Sequence, residues 1–151
     1  TLTFQLATAG WPYLSDDEVL LSFHDGLVEA RGFRSFFAMR ELAGAAIKNV
    51  FDPSDAVSAE RVSQVAPRWL LFTAIGGEKE TRVTELSQAE TMVRLIRACP
   101  WATYDTTVAG ANLELLSRLA RQVKAFALAA GTELLEPGRA AELLSHHLTQ
   151  N

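Results

Sequence analysis

The pattern of apolar and polar positions predicts a long helix over 106–130 at the centre of the core. One apolar stripe repeats at steps of three and four residues, and a second stripe beside it leaves only a narrow polar face. A helix that is apolar around most of its circumference packs against neighbours on more than one side. Asp105 is placed to cap its first turn and Gly131 to end it. We therefore expect this helix to organise the fold.

Four other segments carry helical signals. Ser87 and Glu90 form a capping box in front of an apolar run, which predicts that a helix starts there. Residues 34–50 place apolar side chains at steps of three and four, and 55–65 repeats the pattern more weakly. The segment that follows Pro137 is amphipathic and predicts a short C-terminal helix.

Residues 68–86 give the strongest strand signal. Two runs of similar length, RWLLFTAI and ETRVTEL, flank a Gly-Gly turn, which predicts a β-hairpin. The first run is apolar on both faces and is expected to be a central strand, whereas the second carries charges and is expected nearer an edge. Residues 2–7 alternate apolar and polar side chains, which predicts a further short strand.

Two structures remain open for residues 16–33. A capping box at 15–18 favours a helix over 16–24, followed by an extended segment over 27–32. The alternative is a hairpin that turns at Asp25-Gly26, a strong turn signal between two alternating runs. We favour the helix slightly.

Together these elements predict an α+β fold with four to six helices packed around a small antiparallel sheet. This sheet includes the 68–86 hairpin, and the core is a single layer centred on helix 106–130. The length of 151 residues fits one globular domain spanning 1–151, and neither a repeat nor a linker divides it.

Composition narrows the function classes. An apolar content of 48% and a charged content of 21% are typical of a soluble globular protein. The net charge of −4 makes nucleic acid an unfavourable partner, and no run reaches the ~18 apolar residues of a membrane span. The only cysteine excludes an internal disulfide, and the N-terminus lacks the basic and apolar regions of a signal peptide. We expect a cytoplasmic protein without a membrane partner.

Candidate chemistry is sparse. Asp25 could orient His24 as a catalytic base, although turn formation alone explains the pair. Cys99 ends a helix, where the dipole disfavours a thiolate, so we expect an inert, buried thiol. Phosphate-loop, hydrolase and zinc motifs are absent from the sequence, and neither a cofactor nor a metal site is predicted.

Aromatic side chains provide a second candidate site. Trp69, Trp101 and Tyr104 lie near element boundaries, where aromatic residues either fill the ends of a core or line a pocket, and Phe72 lies in the predicted strand that begins near Trp69. A pocket between the 68–86 hairpin and the helices would bring these four residues together, with His24 and Asp25 as its polar groups.

The sequence therefore predicts a non-catalytic accessory or regulatory domain that binds another protein. Small side chains permit close approach of helices, and a homodimer seam is expected at Ala125, Ala127 and Ala130. The alternative is a small-molecule-binding protein or an enzyme that uses the aromatic pocket.

Overall fold

The structure, a computed structural model, describes residues 2–33, 36–39, 49–53 and 56–149. Within these residues the protein is α+β, with four α-helices: α1 (Leu2–Thr8), α2 (Gln88–Ala98), α3 (Thr106–Gln122) and α4 (Arg139–Thr149). The strands are β1 (Val19–His24), β2 (Leu27–Gly32), β3 (Phe37–Met39), β4 (Asn49–Phe51), β5 (Gln64–Val65), β6 (Trp69–Ile75), β7 (Arg82–Leu86) and β8 (Lys124–Ala130). None of the described helices is long and apolar enough to cross a membrane.

The chain divides into two compact units, which are described separately. The first unit contains Thr1–Leu20, Ala30–Val65 and Leu135–Asn151. The second contains Leu21–Glu29 and Ala66–Leu134. The prediction of one domain stays a prediction.

The first unit begins with a helix where a strand was predicted over 2–7. Helix α1 ends in a Schellman motif: the Gly10 N–H donates to the Ala7 carbonyl, and the Trp11 N–H donates to the Leu6 carbonyl. Gly10 adopts a φ of 89°, which glycine takes without strain. The glycine just past the last helical residue was the sequence signal for this ending, and the short alternation of apolar residues obscured it.

The helix favoured over 16–24 is wrong, and the hairpin alternative is confirmed. Asp25 and Gly26 both have positive φ, 48° and 85°, as a two-residue type I′ turn requires between β1 and β2. Asp16 does not serve as part of a helix cap. Its carboxylate is buried and accepts a hydrogen bond from the Ala38 N–H at 3.1 Å, while Asp17 turns the chain with a φ of 59°.

Phe37 lies at the centre of the first unit's core. Its ring packs against those of Phe4 and Tyr13, with centroids 5.8 and 5.5 Å away, and Ala7 and Val57 complete the buried cluster. Strands β3 and β4 pair antiparallel, so the helix predicted over 34–50 is wrong at both of these strands. Phe36 lies in a bend just before β3, and residues 34–35 and 40–48 lie outside the described residues.

The short helix predicted over 55–65 is also wrong for the residues that the structure describes. Its last two residues form β5, which pairs antiparallel with β2. Just before β5, Val62 donates its N–H to the Tyr13 carbonyl. Backbone groups of this stretch pair with β2 and with Tyr13, and its few apolar side chains offer little to stabilise a helix.

The second unit contains a mixed sheet in the order β6-β8-β7. Strand β8 runs parallel to β6, from Trp69 opposite Lys124 to Ile75 opposite Ala130, and antiparallel to β7. Strands β6 and β7 are therefore not neighbours, and the hairpin predicted over 68–86 is wrong. Strand β6, expected to be central, is an edge strand among the described residues, because a later segment occupies the middle of the sheet.

That later segment is the second half of the helix predicted over 106–130. Helix α3 ends at Gln122, and Val123 takes an extended ψ of 152° that starts β8. The Ala-rich sequence KAFALAA has high helix propensity, but strands on both sides of it supply its hydrogen-bond partners. Gly131 follows a strand instead of capping a helix.

The helix starts predicted at Ser87 and at Asp105 are confirmed, for α2 and α3 respectively. Ser87 and Glu90 form both hydrogen bonds of the capping box, and Asp105 caps α3 by accepting from the Thr107 N–H. Helices α2 and α3 bury their apolar sides together with one face of β6, which contributes Leu70 and Phe72 to this core.

The Gln122 side chain, at the end of α3, forms hydrogen bonds to β2 and to the segment just before β6. Its Oε1 accepts from the Val28 N–H at 2.7 Å, and its Nε2 donates to the Val28 carbonyl at 2.9 Å. The same Nε2 donates to the Pro67 carbonyl at 3.0 Å. One side-chain amide thus pairs with β2 as a neighbouring strand would, and also fixes the chain just before β6.

Candidate functional site

His24 and Asp25 lie at the β1–β2 turn. The His24 Nδ1 and the Asp25 Oδ1 are 3.1 Å apart, and the two side chains are 63% and 91% exposed. The sharp turn brings these neighbours together, so the contact follows from the local backbone. The structure brings the two side chains together at the surface, and a catalytic or ligand-binding role for them stays a prediction.

The four aromatic residues of the predicted pocket fall into two pairs. Trp69 and Phe72 are both in β6 but on opposite faces, since Phe72 packs against the helices and strand side chains alternate. Trp101 and Tyr104 belong to a 3₁₀ turn, where the Tyr104 N–H donates to the Trp101 carbonyl. The Trp101 and Tyr104 residues are 62% and 80% exposed.

Two cavities are described in the second unit, and none of the six predicted ligand-binding residues lines either. One of about 270 Å³ lies between α2 and α3 and is lined by Gln88, Ala89, Met92, Ser117, Ala120 and Arg121. One of about 120 Å³ is lined by Gly76, Gly77, Glu78, Glu80, Arg82 and Ala129. The small-molecule site stays a prediction.

Cys99, the polar residues of the larger cavity and the possible metal ligands give no sign of unusual reactivity. Burial raises the pKa of the Cys99 thiol, which keeps it protonated at neutral pH and lowers its nucleophilicity. In the larger cavity, the Arg121 guanidinium donates to the Ser117 hydroxyl at 2.6 Å and lies 3.6 Å from the Glu114 carboxylate. Among the described residues, no group of three or more His, Cys, Asp or Glu side chains could hold a metal ion.

Ala125, Ala127 and Ala130 all lie in β8, so the helix packing on which the predicted homodimer seam was based is wrong, and an interface at these residues stays a prediction. This strand has neighbours on both sides, and Ala125 is buried. Within the part of the chain that the structure describes, the unpaired backbone groups of this sheet lie on its outer strands.

The outer edge of β6 presents backbone groups that no described strand pairs. The Lys124 N–H donates to the Arg68 carbonyl, and the Gly76 N–H donates to the Ala130 carbonyl. In a parallel ladder, every second residue of a strand bonds to the same neighbour. Even-numbered residues from 68 to 76 therefore point their N–H and C=O groups at β8. Those of the odd-numbered residues point outward: Trp69, Leu71, Thr73 and Ile75.

The side chains along this edge carry no charge. The strand reads WLLFTAI, and Ile75 is 98% exposed while Trp69 is 38% exposed. Proteins commonly protect such edges with lysine, proline or a bulge, since an unpaired strand invites another chain to pair with it. Strand β6 contains neither lysine nor proline. We call the outward side of residues 69–75 the β6 edge.

The opposite edge of the same sheet offers a comparison. Strand β7 reads RVTEL, with Arg82 and Glu85 both exposed. The Arg82 guanidinium forms an ion pair with the Glu78 carboxylate at 2.7 Å. Charged residues discourage strand addition, so the two edges differ in their readiness to accept a partner.

The sequence predicts the strand that forms this site but not its position in the sheet. The uncharged run predicts a strand at the centre of a sheet, where such runs usually lie. Only the strand order shows that it is an outer strand. Leu71, Thr73 and Ile75 are thus the candidate site residues that the sequence did not identify.

Comparison of the chain with models of protein families, with curated proteins and with solved structures finds no match.

Proposed function

We propose that the protein is a non-catalytic accessory or regulatory domain that binds another protein chain by adding a strand to the β6 edge. The observation that supports this proposal is the uncharged seven-residue outer strand with its alternate backbone groups directed outward. In this binding mode, main-chain hydrogen bonds provide affinity, and alternate side chains provide specificity.

The energetics favour a protein strand as ligand. Each hydrogen bond that an added strand makes contributes about 0.5–1.5 kcal/mol net, and several form together along the edge. Covering the Trp69 and Ile75 side chains adds a hydrophobic contribution of roughly 25 cal/mol per Å² of apolar surface removed from water. A small polar metabolite could use neither contribution to the same extent.

Site-specific photocrosslinking in the cells that make the protein tests this proposal. A benzoylphenylalanine at position 75 should yield a discrete protein adduct, whereas the same group at the exposed Leu135 should not. Thr73→Lys should abolish the adduct, because it places a charge on the β6 edge.

The control is Thr84→Lys, the same substitution of an exposed threonine on the other outer strand, which should leave the adduct unchanged. An adduct that persists in Thr73→Lys, or the lack of any adduct from position 75, would refute binding at the β6 edge.

A further inference from the structure

We infer that the strand received by the β6 edge is β6 of a second copy of this chain, paired antiparallel about a two-fold axis at Phe72. The inference rests on the proposed function and specifies its partner. The resulting sheet would have six strands, with β7 of each copy at its ends.

The backbone allows this pairing in a defined register. In an antiparallel ladder, residues that exchange both hydrogen bonds must each point toward the other strand. The outward residues of β6 are odd-numbered, so odd must lie opposite odd. A two-fold axis at Phe72 sets Trp69 opposite Ile75 and Leu71 opposite Thr73 of the second copy. Four such pairs form, with about eight main-chain hydrogen bonds in total.

The side chains match in this register. Trp69 and Ile75 share the sheet face that points away from α2 and α3, and both are exposed. Pairing sets each tryptophan beside the isoleucine of the other copy, and aromatic and β-branched residues stabilise each other across strands. On the helix-facing side, the Phe72 rings of the two copies meet at the axis.

Charge selects the antiparallel arrangement. Strand β6 holds no ionisable side chain, so no like charges oppose each other within it. The exposed Arg68 precedes the strand, and Glu78 follows it with a side chain 60% exposed. Antiparallel pairing places Arg68 opposite Gly76 of the second copy, next to Glu78. Parallel self-pairing through this edge requires an odd-numbered residue opposite an even-numbered one, so it would place Arg68 one residue from Arg68 and Glu78 one residue from Glu78 of the second copy.

Sedimentation velocity measures the oligomeric state first. The protein concentration is varied over roughly 1–100 μM, the range in which modest interfaces associate. The expected result is a concentration-dependent dimer for the natural chain and for Thr84→Lys, and a monomer for Thr73→Lys. A natural chain that stays monomeric at the highest concentration overturns the second-copy inference, as does a dimer that Thr73→Lys leaves intact.

The register is tested by electron–electron distance measurement with a spin label at Gly77→Cys in a Cys99→Ala background. An added Cβ at Gly77 meets no atom within 4 Å, so the label has room. With the axis at Phe72, the labelled positions lie on the order of 33 Å apart, since strands rise about 3.3 Å per residue. Parallel pairing would bring them within about 5 Å. A distance that fits another register or the parallel arrangement overturns the inference.

Hydrogen exchange covers the case in which Thr73→Lys fails to fold. In the natural chain, amide exchange at Leu71 and Thr73 should slow as protein concentration rises, while exchange at Val83 and Glu85 should not. Concentration-independent exchange at Leu71 and Thr73 overturns the inference without any variant. If position 75 then still crosslinks to a different protein, strand addition stands and only the second copy fails.

Discussion

Replacing Gln122 should destabilise the protein strongly, although its side chain is only half-buried. Gln122→Ala removes three hydrogen bonds and leaves the N–H and carbonyl of Val28, a completely buried residue, without these partners. An unsatisfied buried polar group costs about 1–3 kcal/mol. Two such groups, one of them a carbonyl that relaxes more easily, give a loss of about 3 kcal/mol in the free energy of unfolding.

Urea unfolding followed by circular dichroism measures this loss, and thermal unfolding should show a fall in Tm of about 6–12 °C. The control is Gln88→Ala, which truncates an exposed glutamine in the first turn of α2 and should change stability by less than about 0.5 kcal/mol. If Gln122→Ala lost no more than this control, the side-chain amide would not be acting as a substitute strand.

Gln122→Glu distinguishes the donor from the acceptor half of this contact. The carboxylate keeps the bond from the Val28 N–H but turns both donated bonds, to Val28 and Pro67, into contacts between oxygens. Such contacts disfavour the charged form, so the pKa of the new carboxyl rises in the folded state. Its deficit in unfolding free energy should be complete above the raised folded pKa and should shrink as pH falls toward the unfolded value of about 4.3. A deficit independent of pH between 7 and 5 would contradict this reasoning.

Four further substitutions test backbone positions and a helix cap: two should destabilise the protein, one should be near neutral and one should stabilise it. Gly131→Ala should lower the free energy of unfolding by about 2–3 kcal/mol, because the added Cβ would lie 2.7 Å from the Glu80 carbonyl oxygen. Gly77→Ala has open space around the added Cβ and should be near neutral in the same urea titration. Gly110→Ala should raise stability by about 1 kcal/mol, since this exposed position of α3 has room for a methyl group and alanine favours helix. Ser87→Ala should lose about 1 kcal/mol by removing the cap of α2. Hydrogen bonds from Ser87 lower the pKa of Glu90, so the contribution of the bonds to this carboxylate is present above pH ~4.3 and is lost as pH falls through the lowered pKa, whereas the bond from the Glu90 N–H to the Ser87 hydroxyl remains. The Ser87→Ala deficit should therefore be smaller at pH 2 than at pH 7, and an equal deficit would contradict this role.

The parts of the fold that the sequence predicted depend on local chemistry. The capping boxes and caps at Ser87 and Asp105 satisfy backbone groups within four residues, so their sequence signature is sufficient. The two-residue turn at Asp25-Gly26 was equally local, and only a competing cap signal at 15–18 reduced its weight. The amphipathic segment after Pro137 forms α4.

The parts that the sequence did not predict depend on distant partners. Nothing within KAFALAA excludes helix, and its strand conformation follows from β6 and β7, which precede it by many residues. The same distant pairing separates β6 from β7 and leaves the β6 edge open. A candidate site made of unpaired backbone can be identified only after the strand order is known.

The position of β8 has a consequence for how the chain matures. Strands β6 and β7 each pair with β8 and not with one another, so the second unit's sheet has no pairing until its last strand has been synthesised. During synthesis, WLLFTAI emerges with both edges unpaired and waits while the residues of α2 and α3 are added. Pairing between residues so far apart in sequence is slow, and an uncharged strand is prone to aggregate in that interval. The segment that forms the β6 edge is therefore also one that a nascent chain exposes until β8 has been made.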